Sequence, residues 1–127
     1  MTSKGEEECR RVLEDIFDMD FYSYRPKFLK NPDTNHNLEI DCYNHELKIA
    51  CEYHGKQHYE YPNGFHKTEE EFVRAVCRDR FKRKVLHDNG IYFIEVPYSI
   101  ELDQIKDFII LELQNYFQWV IDIRKNI

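Results

Sequence analysis

The chain is poor in the residues that loosen or staple a polypeptide. Four glycines and four prolines among 127 residues are too few for a disordered or low-complexity composition. No stretch approaches the roughly 18 consecutive apolar residues of a membrane span. The opening MTSKGEEECRR holds no apolar run of signal-peptide length. The four cysteines, Cys9, Cys42, Cys51 and Cys77, include no CxxC pair, which disfavours a structural zinc site and a disulfide framework. An intracellular, reduced protein (cytoplasm or nucleus) with no membrane partner is expected.

What is present suits a single packed domain over residues 1–127. Hydrophobic residues make up 42% of the chain and aromatics 15%, enough for one core at this length. The formal charge of −6, from 24 acidic and 18 basic residues, would by itself discourage a polyanionic partner. Its distribution tells a different story. Residues 74–84 carry Arg74, Arg78, Arg80, Lys82, Arg83 and Lys84 against Asp79 alone. That segment is +5 and the remainder −11.

Ser3 followed by Glu6 is a capping-box pattern. Cys9, Val12, Leu13, Ile16 and Phe17 then recur at helical spacing, predicting an amphipathic first helix that Asp18 to Asp20 end. The aromatic run 21–24 reads as a strand with a candidate continuation at 27–30, and 31–35 carries turn chemistry. Two period-two runs follow. Leu38, Ile40 and Cys42 alternate with Glu39 and Asp41; Leu47, Ile49, Cys51 and Tyr53 alternate with Lys48, Ala50, Glu52 and His54. With Asn44, His45 and Glu46 as the turn, they predict a hairpin with one greasy and one polar face. Residues 55–67 form a polar, aromatic and histidine-rich loop. Thr68 with Glu71 opens a long helix to about Asp88, with Phe72, Val73, Val76, Cys77 and Phe81 as its apolar stripe. Asn89-Gly90 stops it, residues 91–96 form a buried strand, and a last helix spans about 101–120. The expected fold is α/β, helices around a short mixed sheet.

The polar hairpin face is where chemistry concentrates. With an even-length turn, Asp41 and Glu52 point the same way. Two adjacent carboxylates repel, and a protein that keeps them usually neutralises them with a cation. A hard divalent ion with oxygen ligands suits that role. Charged residues on the solvent side of a two-faced hairpin are the plainer account. His54 shares the face of Glu52, and His58 follows beyond Gly55; an imidazole there can take a proton, ligate a metal or contact phosphate. Gly55 suggests a sharp turn or a close backbone approach. The basic stretch resembles an electrostatic footprint for phosphates, against the plainer account of a helix surface paired to acids. Tyr59, Tyr61 and Phe65 offer stacking surfaces for unpaired bases, while Tyr53 is better explained by packing.

Ser3-Lys4-Gly5-Glu6, Glu39-Ile40-Asp41, Glu52-Tyr53-His54-Gly55-Lys56-Gln57-His58, and Arg78-Asp79-x-x-Lys82 followed by Asn89-Gly90-Ile91 resemble the PD-(D/E)xK nuclease superfamily. The likeness is greatest to its Vsr-like endonuclease branch and covers about residues 3–97. The resemblance implies a restriction-endonuclease-like α-β-β-β-α-β core with an additional C-terminal helix, and a metal-dependent endonuclease hydrolysing DNA phosphodiesters. It implies Asp41 and Glu52 as ligands of Mg²⁺, with Mn²⁺ substituting. Glu6 matches a first-helix glutamate near the metal, although capping its own helix accounts for it equally well. His54 stands where the motif has its water-orienting lysine; His58, Lys82 or Lys48, in that order, could stand in. Arg74, Arg78, Lys82 and Arg83 are the expected DNA-backbone contacts. The C-terminal helix lies outside the motif and either docks on the core or makes a homodimer interface. The runner-up function is a catalytically inactive nuclease-fold module that binds nucleic acid or a protein.

Overall fold

The computed structural model describes residues 3–125. Helix α1 (Lys4–Phe17) starts where Ser3 Oγ accepts the Glu6 backbone N–H at 3.1 Å, and ends at Asp18, whose left-handed φ of 53° returns its N–H to the Glu14 carbonyl. Strands β1 (Tyr22–Tyr24), β2 (Ile40–Asn44) and β3 (Ile49–His54) follow, then α2 (Glu69–Asp88), β4 (Tyr92–Pro97) and α3 (Ile105–Lys125). The expected order of elements is present: a mixed α/β fold with a four-stranded sheet and three helices. Its boundaries differ from expectation in several places. The hairpin turn is 45–48 rather than 44–46, so Asn44 ends β2 and Leu47 and Lys48 lie outside β3, and the last helix runs on to Lys125. The stretch 27–30 makes only an isolated bridge, Lys30 to Asn37, and the last helix begins after a 3₁₀ turn at Leu102–Gln104.

The sheet order is β1-β2-β3-β4, with β1-β2 and β2-β3 antiparallel and β3-β4 parallel. Helices α1 and α3 cover one face, burying Cys9, Val12, Leu13, Ile105 and Ile109 against Cys42, Cys51, Ile94 and Val96. Leu86 of α2 covers the other, over Ile40, Tyr43, Ala50 and Ile91, with Leu29 from the loop after β1. The hairpin is therefore buried on both faces, and the expected solvent-facing polar side does not exist. Glu52 is only 5% exposed and His54 3%.

Ile40 and Cys42 were expected on one face but pack in opposite cores. The cause is a bulge: Tyr22 pairs with Tyr43 but Tyr24 with Ile40, so two steps along β1 match three along β2 and the alternation slips once. Helix α2 also departs from its expected stripe. Val73 and Cys77 are exposed, while Ala75 and Leu86 are buried, because the helix turns Asp79 and Lys82 toward the sheet.

Two glycines have clear reasons. A Cβ on Gly5 would lie 2.5 Å from ring carbons of Tyr53, so α1 can approach β3 only with glycine there. Gly90 turns the chain after α2 at φ 71°, a region that costs other residues. Gly55 sits at φ −70°, an ordinary conformation, so its expected special turn is not needed.

Candidate active site

The ends of β2, β3 and β4 that lie beyond the Leu86 core carry a row of carboxylates across three neighbouring strands. Cys42 pairs with Cys51, and the next step of that ladder brings Asp41 opposite Glu52. Glu52 in turn pairs with Glu95 across the parallel junction. Like charges in such positions repel, and α2 answers two of them from successive helical positions. Lys82 Nζ donates to Glu52 Oε1 at 2.5 Å and to the Glu39 carbonyl at 2.8 Å. Arg83 grips Glu95 in a two-pronged pair at 2.7 and 2.8 Å, the geometry in which guanidinium binds carboxylate best. Asp79, one turn earlier, accepts from His58 Nδ1 at 2.8 Å.

Asp41 has no such answer. Arg10 and Ser23 bond its backbone carbonyl, at 2.6 and 3.3 Å, and its carboxylate accepts no hydrogen bond among the described residues. Burial first, then the charges of Glu52, Glu6 and Glu39, push its pKa up to about 7, against the opposing pull of Lys82. Glu6 pairs with Arg10 at 3.4 Å; Ser3 performs the capping, and the Glu6 side chain belongs to this acidic group. Glu52 shows the contrast. Burial would raise its carboxyl, but His54 and Lys82 outweigh that and hold it below the usual carboxylate range.

His54 closes β3 beside this row. Its Nε2 is buried and has no hydrogen-bond partner among the described residues, lying 3.5 Å from both Glu52 Oε2 and Glu95 Oε1. Burial opposes charge on the ring, yet Glu52, Glu95 and Asp79 together raise its pKa. Burial likewise works on Asp79, where His58 and His54 reverse the sign and lower the pKa. The His54 and His58 rings stand 4.4 Å apart. They line an open pocket of about 170 Å³ with Tyr59, Asp79, Arg83 and Glu95. His54, His58 and Asp79 have ligand atoms within 4.8 Å of one another and could hold a metal ion.

Most expected site residues thus converge. Glu52, Glu6 and Lys82 lie near enough to act on the charge of Asp41, His54 and His58 adjoin them, and Arg83 joins through Glu95. Among the described residues, however, only His54, His58 and Asp79 bring three ligand atoms within 4.8 Å of one another. Lys48 does not: it sits in the hairpin turn at φ 56°, at the far end of β3, 3.3 Å from the His45 ring nitrogens. Arg74 pairs with Glu70 at 2.6 Å on the surface. Arg78 and Arg80 have no ion pair among the described residues. Asp79 and Glu95 carried no site assignment in the sequence. Glu95 had a signal there, the lone charge inside the apolar run 91–96.

No helix among the described residues is long and apolar enough to cross a membrane. No protein-family model matches the chain, and no solved structure does either. The chain is similar to three viral proteins. It is 47% identical to the uncharacterized protein 033L of Invertebrate iridescent virus 3, over 89% of this chain and 58% of that one. It is 43% identical to the uncharacterized protein 307L of Invertebrate iridescent virus 6, over 78% of this chain and 58% of that one. It is 45% identical to the uncharacterized protein 094L of Frog virus 3, over 78% and 64% respectively. The chain spans less than two thirds of the length of each.

Proposed function

We propose that this chain is a metal-dependent endonuclease of restriction-endonuclease-like core, acting on DNA. One observation carries the reading: the sheet face holds a carboxylate, Asp41, that its neighbours leave uncompensated, with a pKa pushed up to about 7. A half-buried acid beside two further acids is costly unless something cationic joins it. By donor chemistry Asp41, Glu52 and Glu6 suit a hard divalent ion, since they offer carboxylate oxygens alone. An entering ion would have to draw the three together and compete with Lys82 for Glu52.

In this mechanism those three residues would hold Mg²⁺, or Mn²⁺ in its place. The ion when bound neutralises charge on the phosphate and lowers the proton affinity of water. Lys82, anchored by Glu52 and Glu39, supplies from α2 the ammonium that the motif normally takes from β3. It orients water and counters charge on the phosphate. His58 is held through Nδ1 by Asp79, which fixes the ring and leaves Nε2 to take or give a proton. The exposed Arg78 and Arg80 contact the backbone by charge. Tyr59, Tyr61 and Phe65, all exposed on the 55–67 loop, offer stacking surfaces to unpaired bases.

A binding module that has lost catalysis is the second reading. It is favoured by the pairs Lys82–Glu52 and Arg83–Glu95, which neutralise two of the three row carboxylates without an ion. Cleavage assays on duplex, nicked, branched and single-stranded DNA separate the two. The nuclease cuts with Mg²⁺ or Mn²⁺, stops with EDTA, and stops in Asp41→Ala. DNA retention in a salt-titrated gel shift with no metal-dependent cutting on any substrate supports the module.

A further inference from the structure

The acidic row and the histidine pocket differ in donor chemistry, although they share Glu52 and His54 as neighbours. The acidic row offers only oxygens. The pocket offers two imidazoles and one carboxylate: His54 at the end of β3, His58 in the 3₁₀ turn Lys56–His58, and Asp79 on α2. Three separate elements bring ligand atoms within 4.8 Å.

Two features point to an ion there. His54 is 3% exposed, and its Nε2 is a buried polar atom with no hydrogen-bond partner among the described residues. Buried nitrogens without partners are rare and need a cause. Its distance of 3.5 Å from Glu52 Oε2 and from Glu95 Oε1 is too long for a good hydrogen bond. The second feature is access, because His54, His58 and Asp79 all line an open pocket of about 170 Å³. Three protein ligands with a fourth position open to small molecules is the arrangement of a reactive zinc site.

We propose that His54, His58 and Asp79 form a second metal site, which takes a borderline transition ion such as Zn²⁺ or Co²⁺. Imidazole nitrogens select such ions over Mg²⁺, which prefers oxygen. Ligation through His58 Nδ1 requires the proton that now bridges Nδ1 and Asp79 at 2.8 Å to pass to Nε2, so that the ring stays neutral and the carboxylate ionised. Arg83 already engages both oxygens of the neighbouring Glu95 carboxylate, which leaves the fourth position to water or an incoming oxygen. The site stands independently of the nuclease reading. One consequence does rest on that reading: Zn²⁺ at this site occupies His58 and stops Mg²⁺-dependent cleavage.

The test is a Co²⁺ titration of the metal-stripped full chain, followed by visible absorption in the presence of excess Mg²⁺. One equivalent of Co²⁺ should develop a ligand-field band that excess Mg²⁺ leaves in place and one equivalent of Zn²⁺ bleaches. His58→Ala should abolish the band, Asp79→Asn should weaken binding about 10- to 100-fold, and Asp41→Asn should leave it unchanged. Histidine ring resonances of the unmodified protein give a second readout free of folding effects. Two of the six histidines, His54 and His58, should shift with Zn²⁺ and the other four should not. No band and no ring shift, or a band that Mg²⁺ removes or that survives His58→Ala, overturns the proposal. A chain that binds Co²⁺ as described but cuts no DNA would refute the nuclease reading and leave this site standing.

Discussion

On the α1/α3 face of the sheet, β2, β3 and β4 present Cys42, Cys51, Ile94 and Val96. On the α2 face, the residues one step away in sequence are Asp41, Glu52 and Glu95. The first surface is sealed by two helices, and burial pushes the Cys42 thiol up so that it stays protonated. The second is sealed only at one end, by Leu86 over Tyr43 and Ala50, and holds charges at the other. Single-residue alternation along three short strands thus sets an apolar core back to back with a polar site. The comparison separates two kinds of stability. The closed face depends on contact and volume, whereas the open face depends on charge state, and hence on pH and bound ions.

The sharpest way to break that comparison is to remove one group from each face. Lys82→Met leaves the Glu52 carboxylate buried without its cation and should cost about 3–5 kcal/mol at neutral pH. Leu13→Ala, in the fully buried core of the closed face, should cost a similar 2–5 kcal/mol. Chemical denaturation at several pH values tells them apart. The Lys82→Met loss should shrink as acid protonates Glu52, and Glu52→Gln added to it should restore most of the stability. The Leu13→Ala loss should not depend on pH in this way. Equal pH dependence of the two would erase the distinction between the faces.

A smaller effect with the opposite sign is expected at Asp41. Its pKa is raised on folding, so the folded state binds a proton between about pH 4 and 7 that the unfolded state has lost, and stability falls across that window. The full shift from 3.8 to about 7 corresponds to roughly 4 kcal/mol. Asp41 is half-buried, and solvent screening reduces the expected penalty to about 2 kcal/mol. Asp41→Asn should therefore stabilise the protein by about 2 kcal/mol above pH 7 and by nothing below pH 4. Added Mg²⁺ should close the gap by stabilising the parent chain. An Asp41→Asn variant less stable than its parent at pH 8 without metal would contradict the account.

The sequence made legible what depends on near neighbours. Ser3 and Thr68 cap their helices as their spacing predicts, each accepting from a backbone N–H three residues on, at 3.1 Å. The element order follows from hydrophobic period and turn residues. Asp41 and Glu52 share a face only if the turn is of even length, and their pairing needs the register, which alternation leaves open. Glu95 stands out as the lone charge in its apolar run, but what it faces is not legible, because the parallel pairing of β3 with β4 is set across a long crossover. Periodicity does not report the register of strands joined that way. The α2 stripe departs from its apolar spacing for a related reason. A helix packed over a polar site turns Asp79 and Lys82 inward, so its apolar residues no longer mark the buried side. The bulge in β2 moved Ile40 to the face opposite Cys42, and such slips have no signature in alternation alone.

On the proposed reading, Asp41 is an uncompensated acid poised for a divalent cation. Carboxyl-carbon NMR of Asp41, titrated against pH with and without Mg²⁺, tests it most directly. The account predicts a midpoint near 7 in metal-free protein that falls when Mg²⁺ is added, and Asp41 should be the only aspartate to move that far. A midpoint near the ordinary 3.8 in metal-free protein, or one that Mg²⁺ leaves in place, would contradict it.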